Sequence, residues 1–135
     1  MSIDRRQPGH RVLLVEDHVA LAEATAELMR HHGLEVRVAT SGADALKMAE
    51  EFNPALILCD MMLPDMAGLD VAQVLRAKGR AQRPLIAILT ARSENDLREF
   101  EGHTRTGEVN VFLSKPLTTE TLTGLLSEFE VLQPR

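Results

Sequence analysis

The stretch A-L-I-L-C-D-M-M-L-P-D-M-A-G, residues 55–68, decides the fold. Residues 56–59 are apolar at every position. The alternation of a half-exposed strand is therefore missing, and both faces must be covered, as in the centre of a parallel sheet. Asp60 stands at the carboxyl end of that run, and the loop after it, with Pro64 and Gly68, turns the chain. The pattern recurs outward in both directions. V-L-L-V at 12–15 is too short for a buried helix and runs into Glu16 and Asp17, while the buried run 85–89 ends in Thr90. Residues 35–39 form a strand through Val36 and Val38, and residues 109–113 form a last one that ends in Ser114, Lys115 and Pro116.

Helical segments fill the gaps. In residues 18–32, Leu21, Ala24, Leu28 and Met29 fall on one face, Gly33 is a C-terminal stop, and Asp17 is placed to cap the start. Thr40 or Ser41 caps a second helix that runs to about Phe52, where Asn53-Pro54 ends it. A third helix groups Val71, Val74 and Leu75 and stops at Gly79. Residues 91–108 give a short helix at 94–101 followed by a long loop containing G-H-T-R-T-G-E. The last helix, about 118–131, aligns Leu122, Leu125, Leu126 and Phe129. Five strands alternating with five helical segments imply a doubly wound α/β domain around a five-stranded parallel sheet, because parallel neighbours need right-handed crossovers. Residues 1–10, with Pro8-Gly9 and no apolar period, are expected to be a flexible lead, 11–131 the domain and 132–135 a short tail.

Composition bounds the function. The chain has 135 residues, 44% apolar and 26% charged, enough for one core. Fifteen basic against 20 acidic residues give −5, which argues against direct nucleic-acid binding and against an anionic membrane surface. One cysteine, Cys59, precludes an intrachain disulfide, and M-S-I-D-R-R has no apolar leader. The expectation is a cytoplasmic protein with no membrane segment.

In doubly wound sheets, ligands sit beyond the carboxyl ends of the strands. Those ends carry Glu16, Asp17, Asp60, Thr90 and Lys115. Three converging carboxylates repel one another, and a hard divalent cation, Mg2+, relieves them. No His or Cys set is placed to make a zinc site, and Met61, Met62 and Cys59 read as packing residues. His31 and His32 suit a helix C-terminus. A carboxylate beside Mg2+, faced by an ammonium and a hydroxyl, is equipped to accept a phosphoryl group. Asp60 is then the nucleophile, Glu16, Asp17 and Asp60 hold the metal, and Lys115 and Thr90 bind phosphoryl oxygens.

These residues and their spacing resemble the receiver domain of bacterial two-component response regulators. The match runs over about 11–131 and rests on V-L-L-V-E-D, L-I-L-C-D-M-M-L-P-D-M-A-G, I-L-T-A and F-L-S-K-P. The resemblance implies a flavodoxin-like fold with strand order 2-1-3-4-5. It implies Mg2+-dependent transfer from the phosphohistidine of a histidine kinase or histidine phosphotransfer protein to Asp60, and a cis peptide between Lys115 and Pro116. It also makes the Met62 carbonyl a metal ligand and Thr90 with Phe112 a switch. That switch remodels the face of the fourth and fifth helical segments and strand five, for an output protein not identified. Such a domain catalyses its own phosphorylation and dephosphorylation rather than turning over a substrate, and Arg92 and Met62 flank the site where water attacks. The stretch before strand five, G-H-T-R-T-G-E-V-N, departs from the family pattern.

Other readings fit less well. A dehalogenase-like phosphohydrolase places a second Asp where Met62 stands, and a dinucleotide oxidoreductase needs a Gly-rich turn where V-E-D-H-V-A stands. A flavodoxin needs a hydroxyl-rich loop in the same place. The remaining alternative is a nonphosphorylated protein-binding module with the receiver fold. No effector follows Arg135, so both a stand-alone receiver and one cut from a hybrid kinase or longer regulator are expected forms.

Overall fold

In the computed structural model, the described residues are 11–78, 84–91 and 107–132, with side chains of the last helix described to residue 127. The elements are β1 (Arg11–Val15), α1 (Val19–His31), β2 (Glu35–Ala39), α2 (Gly42–Phe52), β3 (Leu56–Asp60), α3 (Gly68–Ala77), β4 (Leu85–Thr90), β5 (Val111–Ser114) and α4 (Thr119–Leu132). The strands form one parallel sheet, as their apolar runs implied, in the order β2-β1-β3-β4-β5 that the family resemblance implied. The lead at 1–10, the stop at Gly79, the helix at 94–101 with most of its loop, the Phe129 side chain and residues 133–135 lie outside the described residues.

Alternate side chains of the central strands feed two apolar layers. Leu13, Val15, Ile57, Cys59, Ile86 and Ile88 pack with Ala45 and Ala49 of α2 and Val71 and Leu75 of α3. Val12, Leu14, Leu56, Leu58 and Leu89 pack on the other side with Ala22, Ala26 and Met29 of α1 and Leu122 and Leu125 of α4. All five residues of β3 are buried, which is why the 56–59 run shows no polar alternation. Each fully buried Leu or Ile stabilises the fold by about 1.5–3 kcal/mol.

Two helix faces differ from expectation. In α1 the buried row is Ala22, Ala26 and Met29, while Leu21 is 44% exposed and Ala24 is exposed. Small alanines let α1 lie close to the sheet, and Leu21 lines a groove that Leu14 and Leu89 also border. In α3, Val71, Ala72 and Leu75 are buried and Val74 faces outward. The helix ends follow local chemistry. The Ser41 hydroxyl accepts from the Asp44 N–H at 3.1 Å, and Asn53, at φ 52°, closes α2 in the left-handed conformation. Gly33, at φ 86°, follows α1 as the stop that the sequence indicated. The Thr118 hydroxyl accepts from the Thr121 N–H at 3.1 Å at the start of α4.

The fifth strand begins at Val111 rather than Val109, and Asn110 explains the delay. Its side-chain oxygen accepts from the Ile86 N–H at 2.8 Å and from Arg76 Nη2 at 2.9 Å. Arg76 also donates to the carbonyls of Gly107 at 3.0 Å and Pro84 at 2.7 Å, so one guanidinium joins α3 to the approaches of β4 and β5. Val109 is nevertheless fully buried in the α2/α3 layer. Replacing Asn110 by Ala leaves the Ile86 N–H and part of Arg76 without this acceptor. The expected loss is about 1–3 kcal/mol, read from a lower urea midpoint at unchanged slope.

Candidate functional site

The loop after β1 carries Glu16, whose N–H donates to the Ala39 carbonyl at 2.9 Å, the last residue of β2. Its Oε2 accepts from the His18 N–H at 3.1 Å, so the chain folds back over the carboxylate. His18, rather than Asp17, caps α1: its Nδ1 accepts from the Leu21 N–H at 3.1 Å. Asp17 is thereby not engaged as the helix cap and stands exposed at the rim. The sequence put the cap one residue early because Asp is the commoner cap type, and the imidazole serves here as the acceptor.

Asp60 ends β3 beside β1, and one carboxylate oxygen each from Glu16, Asp17 and Asp60 lie within 4.8 Å of one another. Glu16 and Asp60 are buried, as is Thr90 at the end of β4. Lys115 follows β5, its backbone N–H bonded to the Thr90 carbonyl at 2.8 Å. Its Nζ donates to Asp60 Oδ2 at 2.9 Å and to Glu16 Oε1 at 3.2 Å. The peptide between Lys115 and Pro116 is cis. The five strand-end residues thus share one rim.

Met62 differs from its packing expectation: Met61 is buried, but the Met62 side chain is 70% exposed. Its backbone N–H faces Asp60 Oδ1 at 3.4 Å, a long contact. Phe112, paired in register with Ile88, is half-buried against the α2/α3 layer. Cys59 is buried as expected, and burial, with the charges of Asp60 and Glu16, pushes its thiol up to about 12, so it stays an uncharged packing group.

The electrostatics of the carboxylate pair are lopsided. Burial, with repulsion from Asp60 added, pushes the Glu16 carboxyl above its ordinary range, although the His18 N–H and Lys115 pull against it. Burial acts downward on Lys115, but the hydrogen bonds and charges of Asp60 and Glu16 outweigh it, and its ammonium titrates above an ordinary lysine. One ammonium is thus shared between two carboxylates and does not fully compensate Glu16. With Asp17, the formal charge of the four side chains is −2, three negative and one positive. A divalent cation matches both that charge and an all-oxygen donor set.

Two features of the loop between β3 and α3 rest on contacts that local periodicity does not show. At Gly68, a Cβ would collide with the Asp60 carbonyl, because the Gly68 N–H reaches back to the Met61 carbonyl at 2.7 Å and closes the loop on the strand. Asp65 bonds the start of α2: Oδ1 accepts from the Gly42 N–H at 2.7 Å and Oδ2 from the Ala43 N–H at 2.9 Å. These partners are 23 and 22 residues away, beyond any periodicity in the sequence. Beside the rim, a groove of about 330 Å³ runs between Leu21, Leu14, Leu89 and Leu117, with Glu16 and Lys115 at its edge.

The chain matches the response regulator receiver domain over residues 12–127 and belongs to that family. It is 39% identical over 84 residues to the DNA-binding response regulator MtrA of Mycolicibacterium paratuberculosis, a match that covers 62% of this chain and 36% of MtrA. The matched region is therefore about a third of the length of that relative. The receiver domain of a CheY-like response regulator from Methylobacillus flagellatus superposes with a TM-score of 0.78 at 28% identity, covering 89% of this chain and 98% of that one. The response regulator TrrA of Thermotoga maritima, in complex with Mg2+-BeF, superposes at 0.73 and 25% identity over 88% and 97% of the two chains. Among the described residues, no helix is long and apolar enough to cross a membrane.

In chelator, Lys115→Met leaves two buried carboxylates without their shared ammonium, and urea unfolding is expected to show a loss of about 2–3 kcal/mol. The hydrogen bonds from Gly42 and Ala43 hold the Asp65 carboxyl below its ordinary range. Its contribution is therefore fully present above the unfolded value near 3.9 and is lost as pH falls through the lower folded value. The melting-temperature gap between parent and Asp65→Asn should accordingly be widest above about pH 5 and close in more acidic buffer.

Proposed function

We propose that this domain accepts a phosphoryl group on Asp60 from the phosphohistidine of a histidine kinase or histidine phosphotransfer protein. The observation that carries the reading is the convergence of Glu16, Asp17, Asp60 and Lys115 at one rim of the sheet. In the transfer, an Asp60 carboxylate oxygen forms the new P–O bond, the P–N bond to the donor imidazole breaks, and its electron pair leaves with the imidazole. Lys115, already 2.9 Å from Asp60, neutralises charge on an equatorial oxygen, and the buried Thr90 hydroxyl is the donor to another.

The carboxylates of Glu16, Asp17 and Asp60, with the Met62 carbonyl, would hold Mg2+. Bound there, the ion would supply charge neutralisation for the transferred group. The Mg2+-BeF complex of the Thermotoga maritima relative supports this assignment. Hydrolysis of the acyl phosphate by water returns Asp60, and the exposed Met62 side chain beside it, with Arg92 beyond the described residues, governs how readily water arrives. Val19 and Met62, 63% and 70% exposed, place apolar surface around the rim that suits a docked donor helix.

Output is proposed to run through Thr90 and Phe112. Drawn toward a phosphoryl oxygen, Thr90 vacates space on β4, and the half-buried Phe112 one strand away turns into it, altering the surface around β5 for an output protein. The domain comprises residues 11–131, acts in the cytoplasm and contacts no nucleic acid itself. Incubation with Mg2+ and acetyl phosphate should add one phosphoryl group by intact mass, and the gain should vanish in Asp60→Asn and in chelator. No gain under any donor, several histidine kinases included, overturns the reading and leaves a nonphosphorylated binding module.

A further inference from the structure

The turn from β2 into α2 touches both loops that carry the acidic cluster. On one side the Ala39 carbonyl takes the N–H of Glu16 at 2.9 Å. On the other, the N–H groups of Gly42 and Ala43 take the two oxygens of Asp65, five residues after Asp60. Met66 lies so close to Gly42 that a Cβ there would overlap its side chain, so the β3–α3 loop is seated on the first turn of α2. Between Asp60 and Asp65 the chain is short and otherwise braced by its own backbone. The Leu63 N–H reaches the Met66 carbonyl at 3.2 Å, and Met62 bridges Ala67. The loop is therefore tied together internally, and its two-pronged side-chain anchor to α2 is Asp65. The helix N-terminus adds favourable field for the carboxylate, and the lowered titration of Asp65 agrees with bonds made to its ionised form.

We propose that Asp65 is a positioning residue for cation binding at the acidic cluster, setting the distance between the Glu16-Asp17 loop and the loop that carries Met62. It touches neither metal nor phosphoryl group and acts by holding the Met62 backbone against Asp60. The inference rests on the phospho-acceptor reading of Asp60 for its consequence in transfer, but its effect on cation affinity is independent of that reading. Partners one shell out from a metal ligand typically change affinity by about 10- to 100-fold when removed. Asp65 acts through the intervening backbone of Leu63 and Pro64 rather than by touching a ligand, so the lower end applies.

The experiment compares the parent with Asp65→Ala, Asp65→Asn and Lys78→Met. The last cuts a different tie, Lys78 Nζ to Glu50 Oε1 at 3.0 Å, between the end of α3 and α2, away from the rim. Mg2+ affinity is measured by isothermal titration calorimetry, and phosphorylation by acetyl phosphate is timed at low and saturating Mg2+. The expected result is about tenfold weaker Mg2+ binding in Asp65→Ala and a smaller loss in Asp65→Asn, which keeps one acceptor oxygen. Lys78→Met should show parental affinity even where it lowers the melting temperature. Phosphorylation of Asp65→Ala should be slow at low Mg2+ and recover at saturation, a split that general destabilisation does not produce. Equal affinities in all four proteins overturn the role of Asp65, while a phosphorylated parent keeps the reading of Asp60. A parent that binds Mg2+ but takes no phosphoryl group overturns the reading of Asp60 alone, and the calorimetry still decides Asp65. A parent that binds no Mg2+ overturns both. Where Asp65→Ala does not fold, Asp65→Asn decides, since it keeps the side-chain volume and one acceptor oxygen for the N–H groups of Gly42 and Ala43.

Discussion

One ammonium held between two buried carboxylates is the interaction on which the rest of this domain depends. Glu16 and Asp60 end neighbouring strands, and Lys115 reaches them from beyond β5, across 99 and 55 residues of sequence. Buried charges need partners, so the strand ends must arrive in register for the pair to be tolerated at all. The order β2-β1-β3-β4-β5 does this by placing the two acidic strands side by side and carrying the lysine in from the β5 side. Its backbone is fixed by the Thr90 carbonyl, which makes the end of β4 part of the same arrangement. Compensation is nevertheless incomplete, because Asp17 adds a third carboxylate at the exposed side.

That incompleteness is what the proposed function rests on. A fully neutralised pair would be inert, whereas the charge left on this rim is the one a divalent cation matches. The support around the rim is built accordingly. Apolar layers on both sides of the sheet make the strand ends rigid, and the loops are held from beneath by backbone bonds, the Ala39 carbonyl at Glu16 and the Gly68 N–H at Met61. Chemistry sits on loops while precision comes from strands.

Much of this was written in short stretches of sequence. Runs such as 12–15, 56–59 and 85–89 announce buried strands by their composition, and the polar residue that breaks each run is by position a strand end. Parallel topology sends every such end to the same rim, so Glu16, Asp17, Asp60, Thr90 and Lys115 could be grouped without coordinates. Less visible were choices between near-equivalent residues. Both Leu21 and Ala22 begin a helical row, and periodicity alone cannot say which faces the sheet. The closer approach that alanine permits decided for Ala22, Ala26 and Met29. Asp17 and His18 were both able to cap α1, and the bond from Leu21 to the imidazole left Asp17 at the rim. Val109 looked like the start of β5, but the side chain of Asn110 took the place of a ladder partner for Ile86.

The sequence by itself determined the fold class, the strand ends and the chemical character of the rim, because each depends on residues a few positions apart and on the rules that join parallel strands. Only the tertiary structure decided how Lys115 divides itself between Glu16 and Asp60, why Gly68 admits no side chain and where Asp65 anchors its loop. Those are contacts between segments far apart in the chain, and they come into being when the packing of α1, α2 and α3 on the sheet sets the distances. Local pattern carries the order of the elements, and the spacing between loops is a property of the packed whole.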